Sequence, residues 1–244
     1  MRALLSFFTA LPLPAAPLTD AARRVYLLPL VGLVAGIPGA LILTSGALPP
    51  GVAATLALGA VLLAAGLHHA DGVLDVGDAL MVQGSQDRRR EVLKDARIGI
   101  GGLGALFVVY APSLAALAAL TDASPLRAAL ALLAAEAAAR SAMTLTLLFG
   151  RPAEETSSAV PFVQALKRGS RRYAALVLAL AIPPLVALSL GWDSSLTAFL
   201  AAPVVVLLAL RVADRAFGGI GGDVCGATGE LARVVLLVAL TGLL

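Results

Sequence analysis

Apolar positions along the chain fall into seven long runs, broken only by short polar segments. They cover about 25–45, 51–70, 102–120, 126–149, 173–190, 195–212 and 228–244. Each run comes near the roughly 20 residues that a helix needs to cross a bilayer. The pattern predicts an all-α fold, a polytopic membrane helix bundle with about seven transmembrane helices. Pro29 and Pro38 in the first run, and Pro183 and Pro184 in the fifth, predict kinks whose freed carbonyls must be met by neighbouring helices or water. The opening stretch MRALLSFFTALPLPAAP is too short and too often interrupted by proline to be another span. Residues 1–18 are therefore expected to form an interfacial or re-entrant segment. Residues 112–142 are rich in alanine, which in a membrane lets helices approach closely.

Composition supports this reading and excludes a soluble globule. The chain is 59% hydrophobic and only 14% charged, against about 25% charged residues in soluble domains. With no linker or soluble insert, residues 1–244 read as a single integral membrane domain. The basic residues set its orientation. With seven spans and a cytoplasmic N-terminus, fifteen of the eighteen fall on the cytoplasmic side: Arg2, Arg23, Arg24, Arg88, Arg89, Arg90, Lys94, Arg97, Arg151, Lys167, Arg168, Arg171, Arg172, Arg211 and Arg215. Only Arg127 falls outside, while Arg140 and Arg233 lie within spans. The isoelectric point near 9.5 follows from cations at helix ends facing anionic lipid. It requires no nucleic-acid partner. A lone cysteine, Cys225, rules out an internal disulfide and reads as a packing residue.

The densest chemistry lies at the end of the second run, in HHADGVLDVGDAL. If that helix continues through the segment, Asp71, Asp75 and Asp78 lie within about 60° of one another on one face. Three carboxylates so close repel one another unless a cation sits between them. Oxygen ligands of this kind suit Mg²⁺, or Mn²⁺. An ideal helix turns His68 toward that face and His69 almost opposite it, although Gly72 and Gly77 could alter the geometry.

Two further clusters share the same predicted side, giving site loops at about 71–101 and 213–227. In LKDARIGIGG, Lys94 and Arg97 are candidate phosphate clamps and Asp95 a candidate metal ligand. Gly99 is a candidate phosphate-binding position, because the third span would begin there with its amides exposed. In FGGIGGDVCGATGE, Asp223 sits at the mouth of the last helix as a candidate metal ligand or base. Glu136 and Arg140 stand one helical turn apart; they either neutralise each other or free Arg140 to reach a phosphate. Acids for a metal, cations for phosphate and glycine-rich loops together indicate phosphoryl transfer.

HHADGVLDVGDAL followed by LKDARIGIGG resembles the cobalamin synthase family, adenosylcobinamide-GDP ribazoletransferase, whose members carry H-x-D-G-x-x-D-x-x-D and then K-D-x-R-x-G. FFTALPLP before YLLPLVGLVAG, and GGIGGDVCGA near the C-terminus, extend the likeness over most of the chain in order. Two places depart from the family pattern: Gly221 stands where threonine is usual, and residues 144–165 lack its aromatic and glycine-rich pattern. The resemblance implies a transferase of the inner membrane, multi-pass, with its active site facing the cytoplasm. It implies that α-ribazole or its 5′-phosphate is joined to adenosylcobinamide-GDP with release of GMP, late in cobalamin biosynthesis. Asp71, Asp75, Asp78, Asp95 and Asp223 match motif positions, and the motif histidine is His69 rather than His68. Membrane lipid and other corrinoid-pathway proteins are the further implied partners.

Two other classes use similar residues. A CDP-alcohol phosphotransferase or an aspartate-rich prenyltransferase would show its own aspartate spacing, which is missing here. A cation-coupled transporter would place its acids near the bilayer midplane, whereas these cluster at one interface.

Overall fold

The computed structural model describes residues 1–167 and 169–243; Arg168, one of the cations assigned above to the cytoplasmic side, lies outside them. The described residues form α1 (Arg2–Phe8), α2 (Leu18–Ala22), α3 (Leu28–Thr44), α4 (Pro50–Ala64), α5 (His68–Met81), α6 (Gln86–Leu93), α7 (Ile100–Ala123), α8 (Pro125–Phe149), α9 (Val160–Leu166), α10 (Ser170–Ala187), α11 (Trp192–Phe217) and α12 (Gly222–Thr241). Among them no strand is present, only one isolated bridge between Pro152 and Ile220. The all-α polytopic bundle expected from the hydrophobic pattern is what forms.

Among the described residues, six helical segments are long and apolar enough to cross a membrane, beginning with Val25–Thr44, and α4 with α5 make a seventh only if that bent pair counts as one span. The second expected span is therefore not a single straight helix. α4 has 15 residues, roughly 22 Å at the α-helical rise, which falls short of the hydrocarbon core. Gly66 and Leu67 both adopt positive φ, 77° and 62°, and α5 leaves at 94° to α4. Glycine takes that conformation freely, whereas leucine is strained in it. The carbonyl that α4 leaves open at Ala64 accepts the Ala10 amide at 2.8 Å. The N-terminal segment is thus a short helix and an extended strap docked on the break.

α8 is the axis of the bundle, with its alanines at 131, 134, 135, 137, 138 and 139 fully buried. Small residues on its neighbours allow near-backbone contact. A side chain at Gly32 of α3 would collide with the Glu136 carbonyl, and one at Gly229 of α12 would come within 3.1 Å of the Ala139 carbonyl. By contrast, α7 and α10 present most of their surface outward, including Phe107, Val108, Val177 and Leu185. Pro29 causes no kink, because it falls in the first turn of α3 where no hydrogen bond is lost.

Among the described residues, the interior of this apolar bundle holds four charges. Arg233 of α12 donates to Glu136 of α8 and to Glu230 of its own helix, and the Tyr110 hydroxyl donates to Glu230 at 2.9 Å. Arg140 stands 3.9 Å from Glu136. All four are fully buried, and two acids offset two bases, as low-dielectric surroundings demand. Glu136 and Arg140 thus do not form the isolated pair their spacing suggested. Arg233 is the closer partner.

Candidate active site

The acids meet at one end of the bundle, where α7 and α12 begin and α8 and α11 end. α5 runs beside that end, outside the six long spans, and remains one continuous helix from His68 to Met81. Gly72 and Gly77 do not distort it; they let it approach its neighbours. A Cβ at Gly72 would stand 2.7 Å from the Asp223 carbonyl oxygen, and one at Gly226 would stand 3.1 Å from the His69 Cα. Gly77 faces the Gly101 carbonyl of α7 in the same way, at 2.9 Å. Asp223 is thereby held against the aspartate helix by backbone contact from both helices. Gly72→Ala is expected to cost about 1–3 kcal/mol, the usual penalty of an inserted methyl in a tight contact, and to lower turnover at least about tenfold by displacing Asp223. Thermal unfolding in detergent and a turnover assay check both.

Asp71 is exposed, while Asp75, Asp78 and Asp223 are partly buried. They do not play equal parts. Asp78 accepts the amides of Gly99 at 2.7 Å and Gly102 at 2.8 Å, so it ties α5 to the first turn of α7. A carboxylate there satisfies open amides and complements the helix dipole. Gly99, expected to offer its amide to a substrate phosphate, gives it to Asp78 instead. Asp71, Asp75 and Asp223 are in no ion pair among the described residues. Burial, and then the charges of Asp71, Asp223 and Asp78, push the Asp75 carboxyl up to about 6.

The second motif opens outward. Asp95 and Arg97 bind each other, with the Arg97 guanidinium at 2.7 Å and its amide at 3.1 Å. These hydrogen bonds hold the Asp95 carboxyl down at about 2. The expected metal ligand and phosphate clamp are therefore a surface pair with each other. No three His, Cys, Asp or Glu side chains among the described residues are disposed to hold one metal ion. The expected four-aspartate set of 71, 75, 78 and 95 is not assembled, since Asp78 and Asp95 are otherwise engaged.

Lys94 is placed differently. It donates to Glu154 at 2.8 Å, and Glu154 lies 3.4 Å from Arg90; the Lys94 hydrogen bond depresses the Glu154 carboxyl below its ordinary value. These residues line a polar groove of about 210 Å³ with Thr156, Ser157, Ser158, Gly221, Gly222 and Asp223. Arg90 was expected only as a topology anchor. Its guanidinium instead reaches the Phe217 carbonyl at 2.7 Å and joins α6 to the end of α11. Ser158 was missed altogether, although the run Thr156-Ser157-Ser158 beside two glutamates was a readable signal of a polar pocket.

On the other side of Asp223 lies a cavity of about 430 Å³, lined by Phe7, Phe8, His68, His69, Phe162 and Cys225 among others. His69 is buried at 7% exposure with its Nδ1 unpartnered, while His68 is exposed. Burial, and then Arg140 and Arg233, hold its imidazole well below the usual range, so it is neutral at neutral pH. Arg140 itself is fully enclosed, with all three guanidinium nitrogens unpartnered, and lines neither pocket.

A polytopic helix bundle that gathers unpaired carboxylates, a groove of mixed charge and glycine-lined backbone at one end is built as a membrane-embedded transferase. The chain belongs to the family described as cobalamin-5-phosphate synthase, which it matches over residues 1–241. It is 35% identical to the adenosylcobinamide-GDP ribazoletransferase of Azorhizobium caulinodans over 97% of this chain and 92% of that protein. It is 38% identical to the protein of that name from Halorubrum lacusprofundi, over 98% and 95%, and 36% identical to the one from Pyrobaculum calidifontis, over 98% and 97%. No solved structure matches it.

Proposed function

We propose that this transferase joins α-ribazole, or its 5′-phosphate, to adenosylcobinamide-GDP and releases GMP, with a divalent cation of the Mg²⁺ kind. The observation that carries this reading is the convergence of Asp71, Asp75 and Asp223, all without a basic partner, beside the groove that holds Lys94 and Arg90. Uncompensated carboxylates at a membrane face call for a cation. Mg²⁺ needs only one or two protein carboxylates when substrate phosphates complete its shell, which fits a site lacking a ready-made cage. Asp71 and Asp75 would hold the cation, with Asp223 facing them, and the cation would offset the charge of the diphosphate and its leaving group.

The protein groups do the rest. Lys94 and Arg90 orient the diphosphate from the groove. A ribazole hydroxyl attacks the phosphorus nearer the cobinamide, the bond from that phosphorus to the bridging oxygen breaks, and GMP leaves with that oxygen. Asp223, between the two cavities, accepts the hydroxyl proton. Asp78 and Arg97 act at one remove, by fixing α7 and the loop before it. The same proposal places the site on the cytoplasmic side of the inner membrane, where most of the basic residues of this chain would meet anionic lipid.

The test uses the full chain in lipid nanodiscs with adenosylcobinamide-GDP, α-ribazole and Mg²⁺. GMP and the corrinoid product should appear one for one and stop on chelation. A folded preparation that releases no GMP would overturn the proposal.

A further inference from the structure

The cavity walled by α1, α5, α8, α9 and the start of α12 differs from the groove next to it in its aromatic rings and in a lining without Lys or Arg. Phe7, Phe8 and Phe162 form one cluster, with ring centroids 4.8 Å apart for Phe7 and Phe8, 5.4 Å for Phe7 and Phe162 and 5.7 Å for Phe8 and Phe162. The His69 imidazole stacks on Phe8 at 6.5 Å with only 22° between the rings. Met143, Leu147 and Cys225 complete an apolar wall, and the Ser6 and Ser158 side chains are the hydroxyls at its margin. A volume of about 430 Å³ is in the range of sites for small organic ligands. The ring cluster suits a flat aromatic ring system, and Ser6, His68, His69, Ser158 and Asp223 supply polar groups at its edge. The cavity does not suit a diphosphate, since no Lys or Arg lines it.

This cavity and the polar groove share three residues, Ser158, Gly222 and Asp223. Their common edge is therefore a junction, with a place for charge on one side and a place for a ring on the other. We infer that the aromatic cavity is the acceptor pocket, which binds a bicyclic heteroaromatic base carried on a ribose and so points the ribose at Asp223. This rests on the proposed reaction and adds to it the pocket that selects the acceptor. Phe162 and Phe8 are specificity residues in this arrangement; their rings hold the base and leave the diphosphate alone. Because Phe7 and Phe8 belong to α1, the N-terminal segment is a wall of the active site and more than an interfacial anchor.

The inference separates the two substrates kinetically. In the nanodisc assay, Phe162→Ala should raise KM for α-ribazole by about tenfold or more, the scale of one lost aromatic stacking contact. KM for adenosylcobinamide-GDP and kcat should stay within about threefold. Phe162→Leu, which keeps apolar bulk and protects the fold, should give a smaller change of the same kind. Free benzimidazole should inhibit competitively against α-ribazole and not against adenosylcobinamide-GDP. An unchanged KM for α-ribazole in both variants, or a rise for adenosylcobinamide-GDP instead, would overturn the inference while turnover by the unaltered chain left the reaction standing. Absence of turnover in the unaltered chain would fell the reaction itself.

Discussion

Asp71→Asn combined with Asp75→Asn is expected to lower kcat/KM by about 10³-fold or more, some 4 kcal/mol of transition-state stabilisation. The two side chains keep their size but lose both charges that would hold a cation against the diphosphate. α5 buries its other face against α7 and α12, so insertion and thermal stability should survive; removing the charge that burial, and then repulsion from Asp71, Asp223 and Asp78, disfavour at Asp75 should raise stability without divalent cation. The pH dependence has a definite sign. Asp75 is raised in the folded chain, so its ionisation opposes folding as pH climbs through 6, and its protonation weakens cation binding as pH falls below 6. The unliganded chain should therefore be more stable at pH 5 than at pH 7, and its affinity for Mg²⁺ weaker. Parallel unfolding midpoints with and without Mg²⁺ at the two pH values measure both limbs.

The second large effect falls on the fold. Arg233→Met is expected to destabilise the chain by about 3–5 kcal/mol, the cost of breaking a buried ion pair from one side. It leaves Glu136 and Glu230 enclosed with only Arg140 against two acids. Adding Glu136→Gln to Arg233→Met should recover part of that loss, because one acid and one base remain. Unfolding midpoints and yields of monodisperse protein in detergent would show the loss and the partial recovery. Equal stability of Arg233→Met and the unaltered chain would mean that the buried network does not hold α8 to α12.

The parts of this molecule legible in sequence are those set by local pattern. Runs of apolar residues near bilayer length mark the long helices, and the three-and-four spacing of Asp71, Asp75 and Asp78 places them on one face whatever the tertiary setting. The break between α4 and α5 is hidden, because Ala64 to Leu67 are apolar within an apolar run, and Leu67 carries no sign of its left-handed backbone. α6 is likewise short and charged, held by a Ser85 side chain that accepts the Arg88 amide and by contacts to α11 from a distant part of the chain. Partnerships across long separations were equally out of reach. Glu136 looks paired with Arg140 at one turn, yet its shorter contact is with Arg233, 97 positions away. Asp78 reads as one of three like acids until the amides of α7 are seen to occupy it.

The docking of the N-terminal strap on the end of α4 bears on how the molecule is made. Phe7 and Phe8 leave the ribosome first, but the residues they face, Met143, Phe162 and Cys225, come from the second half of the chain. Contacts of such sequence separation form late, since loop closure must precede them. Before the second half of the chain emerges, the opening helix rests on α2 and α3, with Ala10 bonded to Ala64 and Phe8 against His69. The ring pocket is completed when α12 arrives and Gly226 closes on His69. A chain stalled before residue 222 would thus lack the helix that packs most extensively on α5, and with it both the seat of the aspartate helix and the last wall of the aromatic cavity.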